Sequence, residues 1–381
     1  MPVIDFIFFD AGGGHRSAAT ALKSVIEQQD RPWTVRLVNL QEVLDALDVF
    51  RKITGIRLED VYNLMLAKGW TRGSAHGLKL MHGIIRMYHG PQVRMLVEHW
   101  KQTKPDMVVS VVPNFNRSMF QALQKVNPAT PYVTVITDMA DWPPHFWMEK
   151  QPQQYIVCGT PKAVEQARAT GFPEVKIFAT SGMILRPKFY EPITVDRAEG
   201  RRKLGLSPDV PTGIVLFGGQ GSSVMVEIAE RLGRSGLKLQ LIAICGRNTK
   251  LAERLRALKL DIPIHVEGFT SEIPAFMHLS DFLIGKPGPG SISEAIAMKL
   301  PVIVERNAFT LPQERYNAEW VEERKVGVVL NNFRSIAEAA RKLTEPATLK
   351  QYQANAAAID NRAVYEIPEI LSDVLKRHNI Q

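Results

Sequence analysis

The sequence predicts an α/β protein of two doubly wound domains, each built around a parallel sheet. Its 381 residues are about twice the length of an ordinary domain. Short apolar runs alternate with amphipathic helical stretches through both halves, which is typical of parallel strands joined by helices. Glycine-rich loops follow several of these runs, and in open sheets of this kind ligands bind beyond the carboxyl ends of the strands.

The first half supplies the elements of the first predicted domain. Its short apolar runs are predicted to be buried strands at residues 3–9, 35–40, 107–112, 132–136 and 155–158. Residues 17–29 and 115–125 carry apolar side chains at helical spacing and are predicted to be connecting helices. Residues 41–104 are predicted to form a mostly helical insertion within this alternation.

The second half repeats the same alternation. Its predicted strands are residues 213–217, 239–245, 263–266, 282–284, 302–305 and 326–330. Residues 181–206 are rich in glycine, proline and charge and lack periodicity, so we predict the domain boundary near residue 190. The predicted domains are therefore residues 1–190 and 191–381, and the last helix is a candidate to pack back on the first domain.

Composition restricts the class of protein. Two cysteines, Cys158 and Cys245, are too few for a disulfide framework or a cysteine-based zinc site and are expected to be buried. The first apolar run is far shorter than the ~20 residues that span a bilayer, and it lacks the basic segment and cleavage site of a signal peptide. We therefore expect a cytoplasmic location.

Most of the net charge comes from one stretch. Residues 51–104 carry ten Lys and Arg against three acids, which is +7 of the total of +8. Basic and apolar side chains interleave there at helical spacing, as in segments that bind an anionic membrane surface. A pair of solvated helices packed on the core is the alternative. No nucleic-acid partner is expected, because no known binding motif accompanies the charge.

The first glycine-rich loop comes after the first predicted strand and begins a helix. Gly12, Gly13 and Gly14 allow a ligand to approach the backbone closely, and the helix N-terminus offers free N–H groups to an anion. The loop is neither a Walker A motif nor a dinucleotide fingerprint. A plain strand-to-helix turn is the alternative, but it does not explain His15, whose imidazole gains nothing from the helix dipole.

The second glycine-rich loop lies at residues 285–290, again between a strand and a helix. It would direct the amides of Ser291 and Ile292 at a pair of phosphates. Ser291 and Glu294 also have the spacing of a capping box, in which Glu294 serves only its own helix. No Asp-x-Asp sequence ends a strand, so no metal site is predicted and the leaving-group charge must be met by amides and basic side chains.

Together these residues resemble the family of monogalactosyldiacylglycerol synthases and processive diacylglycerol glucosyltransferases. This family is related to the N-acetylglucosaminyltransferase that completes lipid II. The resemblance extends over nearly the whole chain and is carried by residues 12–19 (GGGHRSAA), 137–138 (TD), 181–189 (SGMILRPKF), 245–248 (CGRN), 268–269 (GF), 286–295 (KPGPGSISEA) and 312–317 (PQERYN). It implies the GT-B fold, with two facing Rossmann-like domains and a cleft between them.

The resemblance also implies an inverting transfer of glucose or galactose from a UDP-sugar to diacylglycerol or a related lipid, without cofactor or metal, on the inner face of the cell membrane. The implied donor site is in the second domain and consists of Gly218, Gly219, Gln220, Gly221, Ser222, Arg247, Phe269, Gly288, Gly290, Ser291, Ile292, Glu294, Gln313, Glu314 and Asn317. Among these, the two glycine loops would bind the pyrophosphate, Phe269 the uracil and Glu294 the ribose. Gln313 and Glu314 would bind the hexose.

The implied general base is His15 or Asp138, and both alternatives stay open. Gly12, Gly13, Gly14, His145 and Trp147 are implied to form an acceptor or phosphate loop. Two other functions are compatible with the motifs: a UDP-sugar 2-epimerase of the same architecture, and a non-catalytic protein that binds UDP-sugars at a membrane. The basic, apolar insertion argues against the epimerase, and a non-catalytic protein has no use for His15 and Asp138.

Overall fold

The structure is a computed structural model that describes residues 1–10, 13–45, 83, 85–149, 154–308 and 310–380. Gly12 and most of the predicted insertion lie outside the described residues. The prediction that residues 51–104 bind a membrane surface therefore stays a prediction. Of the described helices, none is both long and apolar enough to cross a membrane.

The described residues form two compact units. The first contains the residues before Lys188 together with Asn361–Gln381, and the second runs from Lys188 to Asp360. The chain thus passes from the first unit to the second beside the boundary expected near residue 190. It also returns to the first unit near residue 360, within the range predicted for the second domain.

The first unit is built on a parallel six-stranded sheet. Its strands are β1 (Val3–Phe8), β2 (Thr34–Asn39), β3 (Met107–Ser110), β4 (Tyr132–Val135), β5 (Tyr155–Cys158) and β6 (Ile177–Ala179). Their order is β2-β1-β3-β4-β5-β6. The described helices that connect them are α1 (Gly14–Gln28), α2 (Leu40–Val43), α3 (His89–Thr103), α4 (Asn116–Val126) and α5 (Pro161–Thr170).

The second unit is built on another parallel six-stranded sheet. Its strands are β7 (Thr212–Leu216), β8 (Gln240–Ile244), β9 (Ile264–Glu267), β10 (Phe282–Gly285), β11 (Val302–Glu305) and β12 (Gly327–Leu330), in the order β12-β11-β10-β7-β8-β9. Its helices are α6 (Arg197–Lys203), α7 (Val224–Gly233), α8 (Thr249–Arg256), α9 (Ile273–His278), α10 (Pro289–Ala297), α11 (Arg315–Glu323), α12 (Ile336–Thr344) and α13 (Pro346–Ala357).

These sheets confirm the predicted fold class and most of the predicted strands. In β3, β4 and β5 every residue is buried, because helices cover parallel sheets on both faces. Such strands are visible in the sequence as unbroken apolar runs. The edge strand β6 was not predicted, because its run of three apolar residues is short. All three are partly exposed or exposed.

The strand orders fix where ligands should bind. In the first sheet the chain moves outward from β1 to β2 and then in the other direction from β3, so the order reverses between β1 and β3. In the second sheet it reverses between β7 and β10. A crevice opens beyond the carboxyl ends of the strands at such a point. The loops after β1, β3, β7 and β10 are therefore the places to look for function.

The last helix, α14 (Ala363–Arg377), packs against α1 in the first unit. Arg31, just after α1, donates a hydrogen bond to the carbonyl of Pro368 at 3.2 Å. At the start of the returning segment, the Asn361 amide donates to the carbonyl of Met183 at 2.8 Å. Asn361 also packs so closely on Gly182 that a Cβ there would lie 2.5 Å from its side chain.

Candidate active site

The loop after β1 ends in a glycine with a left-handed backbone conformation. Gly13 has a φ of 77° and is the N-cap of α1, where it offers no side-chain cap. The first intrahelical bond of α1 joins the Ser17 N–H to the Gly13 carbonyl at 3.1 Å. The amides of Gly14, His15 and Arg16 therefore precede the helical hydrogen bonds and can bind an anion. Arg16 holds the loop by an ion pair with Asp10.

His15 lies where the loops after β1, β3 and β4 meet. Its Nδ1 is 3.2 Å from the hydroxyl of Thr137, and it hydrogen-bonds the backbone of Val111. Burial lowers the pKa of His15 to about 4, which outweighs the opposing effect of the Val111 hydrogen bond. The imidazole is therefore neutral throughout the physiological range.

Asp138 and Trp147 complete the group around His15. The indole N–H of Trp147 donates a hydrogen bond to Asp138 Oδ2 at 2.8 Å, and both residues are buried. The rings of Trp147 and His15 are 6.0 Å apart between centroids. Both alternatives for the base thus contact the same tryptophan, although they are separated by more than a hundred residues in the sequence.

His145 lies apart from these contacts of His15 and Asp138. Its backbone has a φ of 68°, its side chain is exposed, and its Nδ1 is 3.2 Å from the Met148 carbonyl. The loop around it is held by Asp141, which accepts hydrogen bonds from the amides of His145 at 2.9 Å and Trp147 at 2.6 Å. We did not predict this role of Asp141. Aspartates are common in polar loops, and Asp141 differs from most of them in being buried.

In the second unit, the loops after β7 and β8 are joined through their backbones. Gly246 has a φ of 58°, and a Cβ on it would lie 2.2 Å from the carbonyl oxygen of Gly219. The Arg247 N–H donates to that same oxygen at 2.9 Å, and the Asn248 amide donates to the Gln220 carbonyl at 3.4 Å. The predicted loop of Gly218, Gly219, Gln220, Gly221 and Ser222 is thus fixed by the CGRN segment.

Phe269, after β9, is one of the few large apolar side chains exposed to solvent, at 64% of its surface. The guanidinium of Arg247 lies over its ring, 4.8 Å from the centroid. A cation on a flat aromatic face is a weak contact in water, and a stacked heterocycle can replace it. The pair therefore brings together two of the residues that we predicted for the donor.

The loop after β10 is followed by the N-terminus of α10. Gly288 is the N-cap and Pro289 the first helical residue, so the amides of Gly290 and Ser291 have no intrahelical acceptor. The Ile292 amide already donates to the Gly288 carbonyl at 3.1 Å, and our expectation that it points at a phosphate is wrong. Glu294 is half-buried in α10. The capping-box interpretation is wrong too, because Ser291 lies inside the helix and not at its N-cap.

Residues of the PQERYN segment contact this same loop. Lys286 and Glu314 form an ion pair of 2.7 Å, and the Asn317 amide donates to the Pro287 carbonyl at 2.8 Å. Glu314 and Asn317 are buried. The Oδ1 atom of Asn317 has no hydrogen-bond partner among the described residues. Gln313 is half-buried in a 3-10 turn, Pro312–Glu314, that leads into α11. We had not predicted the role of Lys286, since its partner lies 28 positions away.

The structure thus gathers the predicted residues into clusters within each unit. His15, Asp138 and Trp147 come together in the first unit, and Gly13 and Gly14 begin the same helix as His15. Gly12 lies outside the described residues. Within the described part of the chain, no three His, Cys, Asp or Glu side chains form a group that could hold a metal ion. That the reaction needs no metal stays a prediction.

This chain resembles known proteins in sequence. The family model for the glycosyltransferase family 28 C-terminal domain matches residues 213–368. A probable monogalactosyldiacylglycerol synthase 2 from rice chloroplasts (Oryza sativa subsp. japonica) is 28% identical over 403 residues, covering 98% of this chain and 79% of that protein.

Solved structures share the fold at low sequence identity. MurG from Acinetobacter baumannii superimposes with a TM-score of 0.65 at 12% identity, covering 97% of this chain and 99% of that one. A UDP-GlcNAc 2-epimerase from Neisseria meningitidis, bound to UDP-GlcNAc, superimposes with a TM-score of 0.57 at 15% identity, covering 98% and 100%. At these identities the likeness establishes the fold alone, which transferases and epimerases have in common.

Proposed function

The chain is a GT-B glycosyltransferase, homologous over nearly its whole length to monogalactosyldiacylglycerol synthases, and from that premise we propose that it moves a hexose from a UDP-sugar to diacylglycerol or a related membrane lipid. The lipid acceptor is proposed from the name of the rice relative and from the motifs of the first domain. The UDP-sugar donor is proposed from the same motifs, and a fold neighbour that binds UDP-GlcNAc supports it.

One observation carries the proposal of catalysis: a neutral imidazole and a carboxylate share one buried tryptophan at the carboxyl end of the first sheet. The carboxyl end is where doubly wound sheets bind ligands. A neutral imidazole can take a proton from a lipid hydroxyl as that hydroxyl attacks a sugar. We assign His15 as the base and keep Asp138 as the rival.

The reaction is a single displacement. The acceptor oxygen forms a bond to the anomeric carbon while the bond from that carbon to the phosphate oxygen breaks. The acceptor proton goes to the base, and the electron pair of the broken bond stays on UDP. The configuration at the anomeric carbon is inverted, because attack and departure take place on opposite faces.

The second unit would bind the donor. We propose that the amides of Gly290 and Ser291 donate hydrogen bonds to the pyrophosphate, because the positive end of the α10 dipole favours an anion there. The loop from Gly218 to Ser222 would lie against the same phosphates. We propose that Phe269 stacks on uracil in place of Arg247, and that Glu294 accepts hydrogen bonds from the ribose.

A UDP-sugar 2-epimerase is not favoured. The rice synthase is 28% identical to this chain, whereas the epimerase is 15% identical and shares only the fold. We also propose a peripheral position on the cytoplasmic face of a membrane, supported by the sequence charge of residues 51–104.

The decisive experiment uses the full chain with vesicles of phosphatidylglycerol and diacylglycerol and with radiolabelled UDP-glucose or UDP-galactose. We expect label in the lipid fraction and one UDP released for each sugar transferred. Product formation should stop when diacylglycerol is omitted. An isomerised UDP-sugar without diacylglycerol, or no lipid product with either donor, would contradict the proposal.

A further inference from the structure

The ion pair between Lys286 and Glu314 links two segments that have separate duties in the proposed function. Lys286 lies just after β10, in the loop that leads to α10. Glu314 ends the 3-10 turn before α11, in the segment proposed to bind the hexose. Lys286 Nζ and Glu314 Oε1 are 2.7 Å apart, and the lysine is 36% exposed while the glutamate is 9% exposed.

The pair lies directly against Gly288, the N-cap of α10. A Cβ placed on Gly288 would lie 3.6 Å from Glu314 Oε1, 3.5 Å from Lys286 Cε and 3.9 Å from Lys286 Nζ. Gly288 is the N-cap of α10, two and three residues before the free amides of Gly290 and Ser291. The ammonium group is thus next to the backbone where an anion would be bound by the helix N-terminus.

The backbone around the pair is fixed independently of it. The Asn317 amide holds the Pro287 carbonyl at 2.8 Å, and the Gly288 N–H donates to the Lys286 carbonyl at 2.8 Å. The lysine side chain, with its flexible four-carbon stem and rotatable donors, can therefore change partner without movement of the loop. Glu314 has less freedom, because only 9% of its side chain is exposed.

We propose that Lys286 is a donor-sensing residue that exchanges partners: the pyrophosphate of the UDP-sugar draws its ammonium away from Glu314, and the released carboxylate then accepts hydrogen bonds from the hexose. The inference rests on the proposed function, because it takes its two anions to be the donor phosphate and Glu314. It follows that the hexose-binding carboxylate becomes available only when a nucleoside diphosphate occupies the helix N-terminus.

In this exchange the Glu314 carboxylate and the pyrophosphate compete for the Lys286 ammonium group. Calorimetric titration of UDP into the wild type, Glu314→Gln, Lys286→Met and the double variant separates the two roles. We expect Glu314→Gln to bind UDP about threefold to tenfold more tightly, because the ammonium is no longer held, and Lys286→Met to bind it about tenfold more weakly. In the Lys286→Met background, Glu314→Gln should add nothing.

Uridine, which lacks phosphate, is the matched control ligand, and its affinity should be the same in all variants. Lys286→Arg should retain most of the UDP affinity, since it keeps the charge. Glu314→Met fills a similar volume without a charge and replaces Glu314→Gln if that variant does not fold.

A UDP affinity that is unchanged or weaker in the Glu314 variant overturns the proposal, because the pair then only holds the two segments together. This failure is distinguishable from failure of the proposed function. If the wild type binds UDP and glycosylates the lipid while the Glu314 variant gains no affinity for UDP, the exchange alone is wrong. If the wild type binds no UDP, the donor assignment is wrong and the exchange falls with it.

Discussion

Trp147 donates its indole N–H to Asp138 at 2.8 Å, and both side chains are buried. The tryptophan also faces His15, so one ring connects the two candidates for the general base. A hydrogen bond to a buried carboxylate contributes more to stability than one between two neutral groups.

We therefore expect Trp147→Phe to lower the free energy of unfolding by about 1.5–3 kcal/mol, the contribution of one hydrogen bond to a charged group. The phenyl ring keeps most of the packing with His15 and removes only the donor. Urea denaturation of the wild type and the variant measures the loss. Asp138→Asn and the double variant Trp147→Phe, Asp138→Asn complete a double-mutant cycle, and losses that simply add would show that the hydrogen bond contributes little.

The base is assigned by a second pair of variants. His15→Ala should lower kcat by at least ~10²-fold and leave UDP affinity unchanged, because a general base acts in the transition state and not in donor binding. Steady-state kinetics with vesicle-borne diacylglycerol and calorimetry with UDP give the two values. Near-normal turnover of His15→Ala, together with an inactive Asp138→Asn, would assign the base to Asp138.

The pH profile follows from the burial of His15. Because its pKa is lowered to about 4, the imidazole stays neutral well below pH 6. We expect kcat/KM to remain level down to about pH 5, whereas an ordinary histidine would protonate near pH 6.5. Initial rates across a constant-ionic-strength buffer series test this. An acid limb centred near pH 6.5 would mean that His15 is solvated during catalysis.

Replacement of Glu294 tests whether this residue binds the donor or caps its own helix. Ser291 is not the N-cap of α10, so we expect Glu294→Ala to leave the protein folded. UDP binding should weaken by roughly the 1–3 kcal/mol of a lost charged hydrogen bond. Glu294→Gln is the matched control and should recover part of the affinity. A lowered melting temperature with unchanged UDP affinity would contradict the assignment.

Glu149 supplies a prediction about stability. Burial raises the pKa of Glu149 to about 7, despite the opposing effect of its hydrogen bond from the Arg117 amide. The folded state therefore keeps a proton that the unfolded chain releases near its ordinary pKa of 4.5. The stabilisation from this group is complete below pH 4.5 and is lost as the pH rises towards 7.

Glu149→Gln should remove that dependence. We expect the stability of the variant relative to the wild type to increase between pH 4.5 and pH 7.5, as measured by urea denaturation at both values. Subtracting the free energy of unfolding of the wild type from that of the variant cancels the contribution of His15, whose depressed pKa acts in the opposite direction. A difference that is the same at both pH values would show that Glu149 titrates normally.

The sequence is most informative where a residue's role depends on its near neighbours. Buried strands such as β4 are visible as apolar runs, and the glycine loops that precede α1 and α10 are visible as local motifs. The roles of Asp141 and Lys286 depend on contacts made by folding, so no local pattern indicates them. The error at Ile292 has a related cause, because α10 begins at Pro289 and its first hydrogen bond already uses that amide.

The return of the chain to the first unit has a consequence for synthesis. Domains usually fold in order as they leave the ribosome, the N-terminal one first. Here α14 packs on α1, so the surface of α1 that it covers stays uncovered until residues 361–380 have been made. The described residues of the second unit, Lys188–Asp360, are continuous in the chain and have all been made before then. The part of the protein that is translated first is therefore the last to reach its final structure.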